Sequence, residues 1–383
     1  MRTLLPFAAG LLLLAACTAT TGSAVQVMSS PVTPVVAGQQ GSFDVVDIDQ
    51  ANHVLYAGDA DRGIDVFNLS TVPARYVKSI PLPDIPKGLA IAPDLGRLFA
   101  ATDAGSVAIV DIKPGSPTVN TVIKTVFTGD KTADLIDYSA AAGQTLFAST
   151  GVGGMITTID ASTGTVLTHI SLGTPLEQPR FNLADGMLYV TSAASDALFK
   201  IDPKSGAVRD KTVLGGCSPM GMAINPHLDQ ALIACGSWVL RWDLRTGQAH
   251  TFDQISGGDV VSYDAKADQF LVAAPRDVPH SDVGIFGGSP IDYVSSVTTG
   301  SYGNAAAYDE TNGVVYTPDI RPGKVGLAGF RPPTGGLDLS GLLPSLIPLG
   351  AIAGVLAVFM YIVGRGADPV LRPAPEPRRR RPA

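Results

Sequence analysis

The side chains of this 383-residue chain that could do chemistry fall into a few small groups. Two are carboxylate sets, Asp44, Asp47 and Asp49 in one segment and Asp134 and Asp137 in another. Gathered around a divalent cation, such carboxylates would activate water for hydrolysis. Taken singly, three acids in one short strand read as outer-face or turn positions. A third set, Arg276, Asp277 and His280, shares the segment 274–282 and offers a cation, an anion and an imidazole for binding. Cys217 and Cys235 would form a disulfide in an oxidising compartment, or stand as two buried thiols. Cys-x-x-Cys is absent, which argues against thioredoxin-like exchange, and the five histidines show no metal-ligand spacing. Neither a Gly-x-Ser-x-Gly elbow nor a phosphate-cradling glycine loop is present. The expectation is no metal, no cofactor and no catalytic acid, base and nucleophile set.

These residues must be held by short strands. Charged residues make up 16% of the chain, against 42 Gly and 29 Pro, a composition suited to strands separated by tight turns. The plan is clearest between Gln178 and Gly206. A Pro-containing turn leads into a strand at Phe181, Ala184-Asp185-Gly186 turns the chain, and Leu188-Tyr189-Val190 forms a second strand. A third strand spans Ala197 and Ile201, and Asp202 with Gly206 turns the chain again. The second strand recurs as Val54-Leu55-Tyr56, Leu98-Phe99-Ala100, Leu146-Phe147-Ala148, Leu232-Ile233-Ala234, Phe270-Leu271-Val272 and Val314-Val315-Tyr316, at intervals of 38 to 48 residues. That period is close to a propeller blade, and no sustained helical period interrupts it. The chain is therefore expected to be all-β, a seven-bladed β-propeller of four-stranded antiparallel blades over residues 43–333.

The third strand repeatedly ends in Asp-x-x-x-Gly, at Asp111 and Gly115, Asp160 and Gly164, Asp202 and Gly206, and Asp243 and Gly247. Asp bonds its own downstream backbone and Gly accepts a positive φ, so the pair closes a hairpin. Several first strands follow Pro-x-Gly, as in Pro86-Lys87-Gly88 and Pro219-Met220-Gly221. With the full turns Asp160-Ala161-Ser162-Thr163-Gly164 and Asp243-Leu244-Arg245-Thr246-Gly247, this resembles the YVTN family of β-propellers. The resemblance covers roughly residues 43–333; it implies the fold and says little of function, because sites are grafted onto folds. The seventh unit lacks a fourth strand, and one within residues 25–36 would close the ring.

The two ends carry an address. Residues 1–16 combine one Arg with the apolar run Leu11-Leu12-Leu13-Leu14 and small residues, the make-up of an export signal. Leu14-Ala15-Ala16-Cys17 resembles the bacterial lipobox, which implies cleavage before Cys17 and its acylation; the alternative is an ordinary cleaved signal. Residues 17–42 then read as a tether. After a linker at 334–341, residues 342–364 are uncharged and long enough to form a transmembrane helix. Arg365, Arg372 and the run from Arg378 to Arg381 follow, so the basic tail at 365–383 is cytoplasmic by the positive-inside rule. Arg331-Pro332-Pro333-Thr334-Gly335 partly matches a sortase signal, but Arg stands where that pattern needs Leu.

A net charge of -7 argues against a nucleic-acid surface. Export signal and span together place the propeller on the extracytoplasmic side of the cell (inner) membrane. Two functions fit. One is a non-enzymatic scaffold binding an envelope protein or polymer, with Arg276, Asp277 and His280 as the candidate binding loop, since long loops on a rigid scaffold tend to carry function. The other is a metal-dependent small-molecule hydrolase, lactonase or lyase at the channel mouth, which would need Asp44, Asp47, Asp49, Asp134 or Asp137.

Overall fold

The computed structural model describes residues 25–33, 43–275, 281–300, 302–321 and 324–333. Among them are seven four-stranded antiparallel sheets, the blades of a β-propeller. Blade one is Phe43–Asp49, Val54–Asp59, Gly63–Asn68 and Arg75–Ile80; blade two is Pro86–Ala92, Arg97–Thr102, Ser106–Asp111 and Thr121–Phe127. Blade three is Ile136–Ser139, Thr145–Ser149, Met155–Asp160 and Thr165–Ser171; blade four is Pro179–Phe181, Leu188–Ser192, Ala197–Ile201 and Val208–Val213. Blade five is Met222–Asn225, Gln230–Ala234, Val239–Asp243 and Ala249–Phe252; blade six is Val261–Asp264, Gln269–Ala274, Asp282–Gly288 and Ile291–Thr298. Blade seven takes Ala307–Asp309, Val314–Arg321 and Lys324–Phe330 from the end of the ring, and its fourth strand, Met28–Pro31, from the beginning.

Burial follows strand position. Every residue of the second strands Thr145–Ser149 and Leu188–Ser192 is buried, whereas the outer strand Val208–Val213 is almost wholly exposed. The apolar triplets of the second strands therefore sit between neighbouring blades. Phe99, Phe147, Phe270 and Phe286 are fully buried there, each contributing roughly 1.5–3 kcal/mol of transfer free energy. Phe147 of blade three stacks on Phe181 of blade four, with ring centroids 6.0 Å apart.

The Asp-x-x-x-Gly turns work through their aspartates. Asp160 Oδ1 accepts from the backbone N–H groups of Ser162 and Thr163, both at 2.9 Å, and Asp243 Oδ1 from those of Arg245 and Thr246. Gly164 follows at φ 65°, a conformation that a Cβ would strain. These acids are spent on local backbone groups and face outer turns.

The ring closes where Met28–Pro31 pairs antiparallel with Lys324–Phe330, setting Met28 opposite Gly329 and Pro31 opposite Gly326. Strand direction then fixes where the chain leaves. Within each blade the first strand starts on one face of the ring, and the first-to-second and third-to-fourth turns lie on the other. Met28 and Phe330 both sit at the turn-bearing end of blade seven, so the chain enters and leaves the ring on that face.

A second closure runs from blade to blade through the inner strands. The backbone N–H of Ile91 donates to Asp47 Oδ2 at 3.2 Å, that of Phe181 to Asp137 Oδ2 at 2.8 Å, and that of Met222 to Gln178 Oε1 at 2.7 Å. Ser262 Oγ donates to the Ala306 carbonyl at 2.7 Å. Each bond spans 44 residues, one blade. The inner strands approach closely enough that a Cβ on Gly221 would lie 2.1 Å from the Asp259 carbonyl oxygen.

Among the described residues no helix is long and apolar enough to cross a membrane. The segment 342–364 lies outside the described residues, as does Cys17.

Candidate functional site

Asp47, Asp137, Arg180 and Ser262 occupy equivalent first-strand positions, opposite the middle of the second strand, and all line a cavity of about 180 Å³ in the central channel. Reading Asp44, Asp47 and Asp49 as outer-face or turn positions is therefore corrected for Asp47: the register turns it inward, where it joins Asp137 in the channel. Asp49 alone is a turn residue, accepting from the backbone N–H of Asn52 at 3.1 Å and its side-chain amide at 2.7 Å.

Arg180 holds the channel acids. Its Nη1 lies 3.6 Å from Asp137 Oδ1 and donates to the Pro179 carbonyl at 2.9 Å. Burial pushes Asp47 up to about 6, partly offset by the Ile48 N–H and the Arg180 guanidinium. Asp137 is raised for the same first reason, with Arg180 pulling the other way. One guanidinium between two carboxylates, with backbone donors on the carboxylates, makes a largely self-satisfied polar plug.

The channel opens into a larger cavity of about 390 Å³ on the face where the first strands begin. Its walls carry Asp44, Asp103, Asp134, Glu177 and Asp259, with Lys87 as the one basic side chain among the lining residues. Lys87 Nζ donates to Asp44 Oδ2 at 2.6 Å, and Asn304 Nδ2 approaches Asp44 Oδ1 at 3.3 Å, so Asp44 bridges blade two and the loop entering blade seven. Asp134 is pushed up to about 6 by burial and then by the Asp44 carboxylate, with Lys87 opposing both. Val45, Leu135, Val152 and Val260 complete the walls with apolar surface. Such a cavity suits a group carrying positive charge or several hydrogen-bond donors, flanked by aliphatic carbon.

On the same face, blade one buries two carboxyls together. Asp59 and Asp65 are both fully buried, and one oxygen of each has no other hydrogen-bond partner. Ser79 Oγ donates to Asp65 Oδ1, the Tyr76 hydroxyl lies 2.7 Å from Ser79 Oγ, and Arg62 Nε is 3.9 Å from Asp59 Oδ2. Two buried carboxyls in contact cannot both ionise cheaply, so they share a proton. Burial first, and then the Asp59 charge, pushes Asp65 up to about 7.

Of the residues singled out by sequence, Arg276, Asp277 and His280 lie outside the described residues. Cys217 and Cys235 are disulfide-bonded across one hairpin of blade five, with Cα atoms 4.7 Å apart. His53, His169, His227 and His250 are dispersed over separate turns and strands; His169 Nδ1 lies 3.1 Å from Thr157 Oγ1 and His53 Nδ1 3.2 Å from Thr311 Oγ1. Among the described residues no group of three or more His, Cys, Asp or Glu side chains has the geometry to hold a metal ion. Asp44 and Asp134 do meet at the channel mouth, as the hydrolase reading required; what the sequence did not show is Lys87 between them and Arg180 beside Asp137. A signal existed: Asp47, Asp137, Arg180 and Ser262 each precede the centre of a second strand by nine or ten residues.

No family description and no curated protein matches the chain.

Proposed function

We propose that this chain is a membrane-anchored, extracytoplasmic β-propeller that binds a protein or polymer of the cell envelope through the mouth of its channel. The supporting observation is the acid-lined cavity at Asp44, Asp134, Glu177 and Asp259, on the face away from both chain exits. A lipid on Cys17 and a helix over 342–364 supply the anchors, with the basic tail in the cytoplasm. The ring, with its aspartate turns and Pro-x-Gly first strands, fits a YVTN-type repeat. Arg276, Asp277 and His280, which in the sequence fall between the second and third strands of blade six, remain the candidate binding loop of this proposal.

Affinity purification of the full chain from its own membranes after mild crosslinking tests this reading. A stoichiometric envelope partner should be recovered with the parent chain. It should be lost with Asp44→Asn/Asp134→Asn, provided that variant keeps the parent melting temperature. Unchanged recovery would remove the mouth from the proposal. The alternative, a metal-dependent hydrolase, lactonase or lyase, draws on Asp134, whose raised carboxyl faces the cavity beside Asp44. Stoichiometric calcium or zinc in the purified protein would put that alternative first.

A further inference from the structure

Large apolar side chains are exposed on both faces, Phe127, Val152 and Val213 on the mouth side among them, but on the opposite face they stand beside basic turns and on the side from which the chain leaves the ring. Leu183 sits in the first-to-second turn of blade four and is 60% exposed; Leu228, in the equivalent turn of blade five, is 36% exposed. Beside them a groove of about 450 Å³ opens between blades three and four, floored by the stacked Phe147 and Phe181, walled by the 57%-exposed Leu167 and edged by Lys204. Lys204 and Arg245 stand exposed on the third-to-fourth turns of blades four and five. The acids of these two blades on this face are engaged. Asp185 pairs with Lys200 at 2.8 Å, Asp202 pairs with Arg209, Asp229 accepts from Asn182 Nδ2 at 2.7 Å, and Asp243 accepts from the backbone N–H groups of Arg245 and Thr246. Exposed leucines flanked by lysine and arginine are the chemistry that rests on a lipid surface and favours anionic headgroups.

Where the chain leaves the ring says what covers this patch. Residues on both sides of the closing pair, Met28 and Phe330, emerge on this same face. Only seven residues lie between Cys17 and Val25, eight backbone steps that at full extension reach about 28 Å. A lipid on Cys17 would therefore hold the turn-bearing face close to the bilayer, while the acidic mouth points away from it. We infer that the turn-bearing face of blades three to five, through Leu183, Leu228, Leu167 and Lys204, lies against the outer surface of the membrane that anchors the chain. This inference rests on the anchoring proposed above.

The test uses the full chain reconstituted in vesicles of phosphatidylethanolamine and phosphatidylglycerol. An environment-sensitive fluorophore is attached in turn at Leu183→Cys, Leu228→Cys and, on the mouth face, Val152→Cys, and lipids spin-labelled near the headgroup serve as quenchers. Labels at 183 and 228 should be blue-shifted and quenched at least threefold more than the label at 152. Replacing phosphatidylglycerol by phosphatidylcholine, or introducing Lys204→Glu, should reduce that difference. Vesicle flotation of each sample separates the two levels. Protein that floats while 183 and 228 are quenched no more than 152 overturns the docking face alone. Protein that fails to float overturns the anchoring and the docking face together.

Discussion

Asp59 and Asp65 are buried together, and burial raises both carboxyls above the ordinary aspartate range. An aspartate whose folded pKa lies above its unfolded value of about 4 binds its proton more tightly in the folded state. Its contribution to stability is full below the unfolded pKa and is lost as pH rises through the folded one, here about 7 for Asp65. Asp47 and Asp134, both raised to about 6, act in the same direction. Stability should therefore fall between roughly pH 5 and 8. Asp65→Asn should flatten that fall and exceed the parent at about pH 8, where it replaces a strained charge with a neutral donor. Urea denaturation at a series of pH values measures this, and a variant less stable than the parent at the alkaline end would refute the shared proton. Arg180 presents the opposite case: Arg180→Met leaves Asp47 and Asp137 without their cation and should cost about 3–5 kcal/mol. The same denaturation series reads that loss.

Among the elements, what the sequence made legible was what local physics decides. Asp160 and Gly164 turn the chain through bonds made within a few residues, and Leu146-Phe147-Ala148 is buried in any blade that forms. The channel was not legible in this way. Whether Asp47 faces the channel or the solvent depends on register, and its backbone partner Ile91 lies one blade further along the chain. The mouth is less local still, because Asp44 meets an asparagine 260 residues away. Two elements close loops and should show it in stability. Removing residues 25–33 leaves Lys324–Phe330 as a bare edge and should lower the melting temperature by well over 5 °C; an unchanged value would mean that blade seven stands on three strands. Cys217→Ser/Cys235→Ser opens a loop of 18 residues and should cost about 2–4 kcal/mol, measurable as a lower urea midpoint.

At the scale of the whole molecule the two faces differ in charge and in exit. The cavity face gathers Asp44, Asp103, Asp134, Glu177 and Asp259 around Lys87, and the chain leaves from the other. Contacts made by such a mouth are long-range and screenable, so capture of the proposed envelope partner should weaken when salt is raised from about 0.05 M to 0.5 M, across which the Debye length falls severalfold. Retention of the partner at the higher salt would place the contact on the apolar walls instead. Closure by Met28–Pro31 also sets an order in time. In a chain synthesised from its N-terminus, the strand that completes the ring emerges first, and its partner, Lys324–Phe330, emerges after the other six blades. Throughout synthesis the leading strand must wait for its partner, and the ring stays open like a split washer until the last blade arrives.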